Sequence, residues 1–301
     1  MHEAKAPFPV DGDTAETWYR IDGDLRPDDP DAPAPLVVLH GGPGATHDYL
    51  LTLTDLADGR AVVFYDQIGN GRSTHYPERG ADFWTVELFV RELQNLVGAL
   101  GIAGRHHVLG SSWGGFLGQE YALTDPPGLR SLVLADTAAS FPDFVAEANG
   151  LRGELPAEVE ATLRRHEEAG TTDDPEYEEA CMVFYKRHLC RLETWPDELV
   201  ESFQWIARDP TVYHTMNGPS EFHVIGSIKE WQSKDRLGGI EMPTLLTSGR
   251  YDEATPALQE TLRAGIPDCE WVLFEESSHT PFIEERERYM RVVGDWLAKH
   301  D

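Results

Sequence analysis

The stretch "HHVLGSSWGGFLGQEYALTD", residues 106–125, passes from an apolar run into a helical pattern through a turn rich in glycine and serine. Its centre has the frame Gly110-x-Ser112-x-Gly114, in which small residues permit a sharp strand-to-helix turn with a serine at its tip. Ser112, and not Ser111, occupies the central position of this frame. The pattern predicts a nucleophile elbow, in which a buried strand ends in an exposed serine hydroxyl.

Apolar runs of strand length recur before and after this turn, and helical periodicity fills several of the intervals between them. In residues 85–101, for example, apolar side chains fall on one face of a helix. Strands that alternate with helices predict a mostly parallel central sheet flanked by helices, which is an α/β fold. The predicted strands are residues 36–40, 61–66, 106–111, 129–136, 243–249 and 270–276.

One long segment, residues 140–237, interrupts this alternation. It contains three helical stretches, each with a proline near its first turn, and no convincing strand. We interpret it as a helical cap inserted into an α/β core formed by residues 1–139 and 238–301. Ahead of the first predicted core strand, residues 10–35 predict at most one short edge hairpin and then an acidic, proline-rich loop.

A serine hydroxyl is a weak nucleophile near neutral pH, so it needs a histidine base that is itself oriented by a carboxylate. After a nucleophile elbow, the acid follows in the chain and the histidine comes last. The stretch "TSGRYDEATP" supplies Asp252 directly after a predicted strand, and "FEESSHTPF" supplies His279 after the final one. The chain has 12 histidines, and the position in this order selects His279 as the predicted base.

The stretch "LVVLHGGPGATHDYL", residues 36–50, begins as a strand and stops abruptly in glycines and a proline. When a serine attacks a carbonyl, two backbone N–H groups stabilise the anion that forms. One comes from the residue after the nucleophile and the other from an early strand-to-helix loop. Trp113 and Gly42 are the predicted donors, because glycines leave room for a substrate oxygen beside the backbone.

Composition narrows the partners that the chain can have. The protein has 301 residues and a net charge of −28, and this negative field disfavours nucleic acid and anionic membranes. No apolar run approaches the about 20 residues of a membrane span, and the start lacks the apolar run of a secretion signal, so a cytoplasmic location is expected. No cofactor or metal is expected: "GNGRS" lacks the lysine of nucleotide loops, and "HEEAG" lacks the second histidine of a zinc motif.

Several motifs together resemble the proline iminopeptidase family of α/β-hydrolases, especially its branch of tricorn-interacting aminopeptidases and L-amino-acid amidases. The resemblance covers almost the whole chain, including the cap. It implies that Ser112 is the nucleophile, His279 the base and Asp252 the residue that orients it. It also implies that Glu221 in the cap and Glu253 beside the triad acid hold the α-ammonium of the substrate. The motifs are "HGGPGATHDYL", "FYDQIGNGRS", "GSSWGG", "NGPSEFHVIGSIKEW", "GRYDEATP" and "SSHTPF".

These features predict a serine hydrolase that removes N-terminal residues from small peptides, or hydrolyses small L-amino-acid amides, through an acyl-enzyme. Two other hypotheses stay open at this point. One is an esterase or lactonase that acts on a neutral substrate, and the other is an accessory subunit of a larger protease, with which a functional link is a further expectation. Proline and bulky apolar residues are both compatible with the sequence as the preferred N-terminal residue.

Overall fold

A single eight-stranded sheet runs through the protein, whose computed structural model describes residues 1–301. The strands in chain order are β1 (His2–Val10), β2 (Asp13–Asp22), β3 (Leu36–Leu39), β4 (Val62–Tyr65), β5 (His106–Ser111), β6 (Leu129–Ala135), β7 (Thr244–Gly249) and β8 (Cys269–Phe274).

In space the strands follow the order β1-β2-β4-β3-β5-β6-β7-β8. The strands from β3 to β8 pair in parallel, whereas β1 and β2 form an antiparallel hairpin that joins the sheet beside β4. Every residue of β3 and β4 is buried, since helices cover both faces of a parallel sheet, and their sequences are therefore continuous apolar runs. The predicted α/β fold is confirmed, and each of the six predicted core strands is present.

The N-terminal hairpin is longer than the sequence predicted. β1 and β2 have nine and ten residues and pair along their whole length, so the expectation of at most one short hairpin was wrong. The side chains of Ala6, Phe8 and Val10 alternate into the core and stabilise β1 there. Pro7 and Pro9 prevented the prediction of β1 from the sequence, because proline is uncommon inside strands. They are tolerated because β1 lies at the edge of the sheet, where proline is accepted.

Ten α-helices and two 3-10 segments surround the sheet. The 3-10 segments are His47–Asp58 and Lys234–Gly239. The helices are α1 (Val86–Ala99), α2 (Trp113–Ala122), α3 (Phe141–Arg152), α4 (Ala157–Ala169), α5 (Pro175–His188), α6 (Asp197–Arg208), α7 (Thr211–Met216), α8 (Pro256–Gly265), α9 (Pro281–Glu284) and α10 (Arg286–Lys299). None of them combines the length and the apolar character that a bilayer-spanning helix needs.

Five helices, α3 to α7, lie between β6 and β7. Three of them, α4, α5 and α6, correspond to the helical stretches read from the sequence, and α3 and α7 are additional. Ser140 precedes α3 and caps it, since its hydroxyl accepts the Asp143 N–H at 3.2 Å. The α7 helix has only six residues, too few for apolar periodicity to reveal it. The exact division into core and cap at residues 140 and 237 stays a prediction.

The carboxyl ends of the parallel strands position the chemically interesting side chains. Because these ends meet at one edge of the sheet, the residues that follow β5, β6, β7 and β8 come together there. They are Ser112, Asp136, Asp252 and His279, in chain order. The helices between β6 and β7 contribute the remaining wall of a cavity above this edge.

Candidate active site

Ser112 lies at the turn between β5 and α2, where its φ of 56° is in the left-handed region. This backbone conformation is strained for a residue with a side chain, and such strain is typical of functional positions. The turn is tight, since a Cβ at Gly110 would collide with the Gly114 carbonyl and a Cβ at Gly114 would collide with that of Leu39. The two glycines are thus required by the backbone, and Ser112 has the geometry of a nucleophile elbow.

Asp252 and His279 form a buried pair on the loops that follow β7 and β8. His279 Nδ1 donates a hydrogen bond to Asp252 Oδ1 at 2.6 Å, and the same oxygen accepts the Ala254 N–H at 2.8 Å. The carbonyl of His188, at the end of α5, accepts the N–H groups of both His279 and Glu253 at 3.3 Å. One carbonyl of the cap therefore holds both loops, and Nε2 of His279 is left available as a base.

Ser112 and His279 line the same cavity, although no hydrogen bond joins Ser112 Oγ to His279 Nε2. Catalytic hydrogen bonds are often long without substrate and shorten when it binds. Burial lowers the pKa of His279, but Asp252, Glu253 and Glu221 outweigh burial and raise that pKa to about 9. The imidazolium is therefore unusually stable in the free protein.

The loop after β3 brings a free backbone N–H close to Ser112. A Cβ at Gly41 would lie 2.9 Å from the Ser112 Cβ, so the loop approaches the elbow as closely as a glycine permits. The Gly41 N–H donates to the Tyr49 hydroxyl at 2.8 Å, whereas the Gly42 N–H donates to no group of the protein. Trp113 is the first residue of α2, where a helix leaves its N–H groups unpaired. These are the two groups predicted to form the oxyanion hole.

Gln67 connects the two segments that carry these N–H groups. Its Oε1 accepts the Trp113 indole N–H at 2.9 Å, and its Nε2 donates to the His40 carbonyl at 2.9 Å. The Gln67 N–H also donates to His40 Nε2 at 3.0 Å. Its motif "FYDQIGNGRS" indicated a loop that supports the pocket, but no sequence pattern distinguished Gln67 within it. The structure thus adds a residue that fixes the distance between the predicted oxyanion donors.

We expect Gln67→Leu to lower kcat about tenfold while KM changes little, because one misplaced oxyanion donor weakens binding of the transition state and not of the substrate. Steady-state kinetics on an aminoacyl-p-nitroanilide measure both constants. Gln119→Leu is the matched control, since Gln119 is also buried and hydrogen-bonded but bonds to neither Trp113 nor the loop after β3. Equal losses of kcat in the two variants would argue against the role of Gln67.

The cavity above the elbow has a volume of about 560 Å³. Ser112, His279, Glu221 and Glu253 all line it, together with Gly42, whereas Trp113 and Asp252 are buried behind it. Of the residues predicted for the site, five therefore reach the cavity directly. No lysine or arginine lines it.

Glu221 and Glu253 bring two carboxylates to this cavity from different parts of the chain, that of Glu253 completely buried and that of Glu221 half-buried. The Tyr213 hydroxyl, on α7, donates to Glu221 Oε1 at 2.7 Å, and Glu253 Oε2 is buried without any hydrogen-bond partner. Burial raises the pKa of both glutamates, that of Glu253 strongly, although nearby His279 partly offsets it. The sequence offered Tyr213 as one of several aromatic residues that could line the pocket, but no pattern indicated its contact with Glu221.

We expect kcat/KM to rise with pH well above the ordinary histidine value of 6.5, because His279 must be neutral to accept a proton and its pKa is raised to about 9. Glu253→Gln removes a carboxylate that stabilises the imidazolium, so the acid limb should move to lower pH. The measurement is kcat/KM of both proteins between about pH 5 and 10 on a neutral p-nitrophenyl ester, because the α-ammonium of an amine substrate itself titrates at about pH 8. Acid limbs that coincide near the ordinary histidine value would contradict this account of the electrostatics.

Comparison with known proteins gives similarities along nearly the whole chain. Residues 34–286 match the family described as alpha/beta hydrolase fold. The proline iminopeptidase of Thermoplasma volcanium is 38% identical over 268 residues, which are 89% of this chain and 90% of that protein. The crystal structure of VinJ matches with a TM-score of 0.94 and 48% identity over 99% of both chains. That of the proline iminopeptidase from Mycobacterium smegmatis matches with a TM-score of 0.88 and 43% identity over 99% of this chain and 98% of the other.

These similarities agree with the resemblance that the sequence motifs carried. They extend through the segment between β6 and β7 as well as the sheet, since the aligned shares leave only a small part of either chain uncovered. The resemblance is therefore confirmed, and the chain belongs to the proline iminopeptidase family of α/β-hydrolases.

Proposed function

We propose that this protein is a serine aminopeptidase that recognises a free α-ammonium group and releases the N-terminal residue of a small peptide or of an amino-acid amide. The name of the relatives, proline iminopeptidase, supports the release of an N-terminal residue. The observation that carries the proposal is the pair of carboxylates, half-buried Glu221 and buried Glu253, in the same cavity as Ser112.

A buried carboxylate is costly unless a positive charge or several donors compensate it. Neither Glu221 nor Glu253 has a lysine or arginine partner in the cavity, and His279 is the basic group that lowers the pKa of both. An ammonium group carries three donors and one positive charge, so it would satisfy both carboxylates through charge-assisted hydrogen bonds. A neutral ester or lactone would leave Glu253 Oε2 without a partner and Glu221 with the Tyr213 hydroxyl alone, which disfavours the esterase hypothesis.

In the proposed reaction Ser112 Oγ attacks the carbonyl carbon of the residue held by the glutamates, and its proton passes to His279 Nε2. The Gly42 and Trp113 N–H groups bind the oxygen that becomes negative. His279 then protonates the leaving amine as the C–N bond breaks, and an acyl-enzyme forms. Water attacks this ester, His279 accepts a proton from the water, and Ser112 is restored as the amino acid departs.

The wall of the cavity between α5 and α6 is apolar and therefore favours apolar groups on the substrate. Met182 on α5 and Leu199, Phe203 and Ile206 on α6 line it. A volume of about 560 Å³ lies within the range of about 300–1,000 Å³ that drug-sized ligands occupy. The cavity therefore accommodates more than the one residue that is released, and the leaving part of the substrate has room beside these side chains.

A panel of substrates tests the proposal. It contains prolyl, leucyl and alanyl p-nitroanilides, the matching simple amides, and p-nitrophenyl butyrate as a neutral ester. We expect hydrolysis of the free-amine compounds, and the ratio of anilide to amide rates distinguishes an aminopeptidase from an amidase. Rapid hydrolysis of the ester without any of the amines would instead favour the esterase. The cytoplasmic location and a link to a larger protease stay predictions.

A further inference from the structure

Asp136 is a buried carboxyl group that the reaction above does not use. It follows β6 directly, at the edge of the sheet where Ser112, Asp252 and His279 also lie. Its φ of 53° is in the left-handed region, and its N–H donates to the Thr247 carbonyl at 2.8 Å. A non-glycine residue in this conformation costs free energy and is typically retained at functional positions.

The side chain of Asp136 accepts no hydrogen bond that would stabilise a negative charge. It is completely buried, and neither carboxyl oxygen has a hydrogen-bond partner. The Gly249 N–H is near enough to favour the charged form slightly but makes no hydrogen bond of good geometry. An isolated ionised carboxylate in such a place is strongly disfavoured.

Asp252, the neighbour of Asp136, has one carboxyl oxygen that accepts no hydrogen bond. Asp136 and Asp252 follow the neighbouring parallel strands β6 and β7, and their carboxyl groups are near enough for Asp252 to raise the pKa of Asp136. Asp252 Oδ1 accepts from His279 and from the Ala254 N–H, whereas the buried Asp252 Oδ2 has no donor. Two neighbouring carboxylates in a buried site strongly disfavour being ionised together, but a single proton between them satisfies both.

We propose that Asp136 is a neutral carboxylic acid that donates its proton in a hydrogen bond to Asp252 Oδ2 and thereby positions the acid of the triad. The inference rests on the proposed function, in which His279 is the base and Asp252 orients it through their hydrogen bond. With this bond, both oxygens of Asp252 are held, one by His279 and Ala254 and the other by Asp136. The carboxyl group then cannot rotate away from the imidazole, and the pair carries one negative charge opposite one imidazolium.

The other groups around Asp136 agree with a neutral acid. Burial, Asp252 and the nearby Glu284 all raise the pKa of Asp136 well above its ordinary value. Tyr49 and Tyr289 also lie near enough for Asp136 to raise their pKa values, after the larger effect of burial. None of these neighbours carries a positive charge that would offset an ionised Asp136. A proton on Asp136 therefore removes the repulsion between its carboxyl group and the other acidic groups.

Two substitutions of similar size distinguish a hydrogen-bonding role of Asp136 from a role in packing alone. Asp136→Asn keeps a donor, since its amide N–H₂ can reach Asp252 Oδ2, whereas Asp136→Leu removes it. We expect Asn to keep kcat within about threefold of the original protein, and Leu to lower kcat about tenfold with KM little changed, as for the loss of one buried hydrogen bond. Thermal unfolding is measured alongside, because a role in packing alone would lower stability without this contrast in kcat.

The pH profile gives a second readout that does not depend on the Leu variant being folded. If Asp136 is neutral, Asp136→Asn leaves the acid limb of kcat/KM unchanged. If Asp136 is ionised, the substitution removes a negative charge near His279 and moves the limb to lower pH. Such a shift, or a Leu variant with full kcat, would overturn the inference.

Controls distinguish this failure from failure of the proposed function. The rate at which a fluorophosphonate probe labels Ser112 is measured in every variant, since it reports the activated serine without any assumed substrate. An active Ser112→Ala protein would refute the triad itself. If Ser112→Ala and Asp252→Asn are both inactive while Asp136→Leu matches the original protein, only the role of Asp136 is refuted.

Discussion

Replacing Ser112 with alanine is expected to reduce kcat by about 10⁴-fold or more, because the covalent route to the acyl-enzyme is lost and only binding and the oxyanion donors still act. The backbone of the elbow is set by Gly110 and Gly114, so the alanine protein should still fold. Its kcat on a leucyl or prolyl p-nitroanilide, compared with its unfolding temperature, separates lost chemistry from lost structure.

Ser111→Ala is the matched control for this experiment. Ser111 is adjacent in the chain and completely buried, and its hydroxyl has no hydrogen-bond partner. We expect it to keep kcat close to that of the original protein. A fluorophosphonate probe should label Ser112, as mass spectrometry of the tryptic peptides would report. Full activity of the Ser112→Ala protein would remove the basis of the proposed mechanism.

The second large effect is expected at the glutamate pair. Glu221→Gln and Glu253→Gln each take one carboxylate from a buried ammonium, and breaking a buried pair of charges costs about 3–5 kcal/mol. We therefore expect kcat/KM for free-amine substrates to fall about 100-fold or more in either variant. Hydrolysis of a neutral p-nitrophenyl ester, if it is measurable, should change much less.

Glu178→Gln controls for the general loss of negative charge near the substrate. Glu178 also lines the cavity but is exposed to solvent, where a single charge contributes little. Its kcat/KM should stay within a few-fold of the original value. Equal losses on the ester and on the amine in Glu253→Gln would indicate damage to the neighbouring Asp252 instead of lost ammonium binding.

Much of the fold was predictable because it depends on local patterns. Strands buried on both faces must be continuously apolar, as in Leu36–Leu39 and Val62–Tyr65, and the elbow needs glycines at fixed offsets from Ser112. Chain order then selected Asp252 and His279, and the structure joins them by a hydrogen bond of 2.6 Å. The strand His2–Val10 was not predicted. It contains two prolines, which are uncommon inside strands.

The remaining parts of the site depend on contacts between residues far apart in the chain. Gln67 and Trp113 meet across 46 positions, and nothing near either residue indicates that contact. Asp136 ended a predicted strand, but only the fold brings it against Asp252. Likewise, Phe203 lines the cavity, whereas Trp205 on the same helix packs against Arg72 and Arg208. Composition does not distinguish these two aromatic residues.

The central claim is that the protein hydrolyses a substrate whose free ammonium is held by Glu221 and Glu253. The most direct measurement compares kcat/KM for one aminoacyl-p-nitroanilide with that for its N-acetylated form, in the original protein and in the variant with both glutamates changed to glutamine. Acetylation removes the charge, so it should lower kcat/KM about 1,000-fold in the original protein and far less in the double variant. Equal hydrolysis of the two compounds by the original protein would contradict the account.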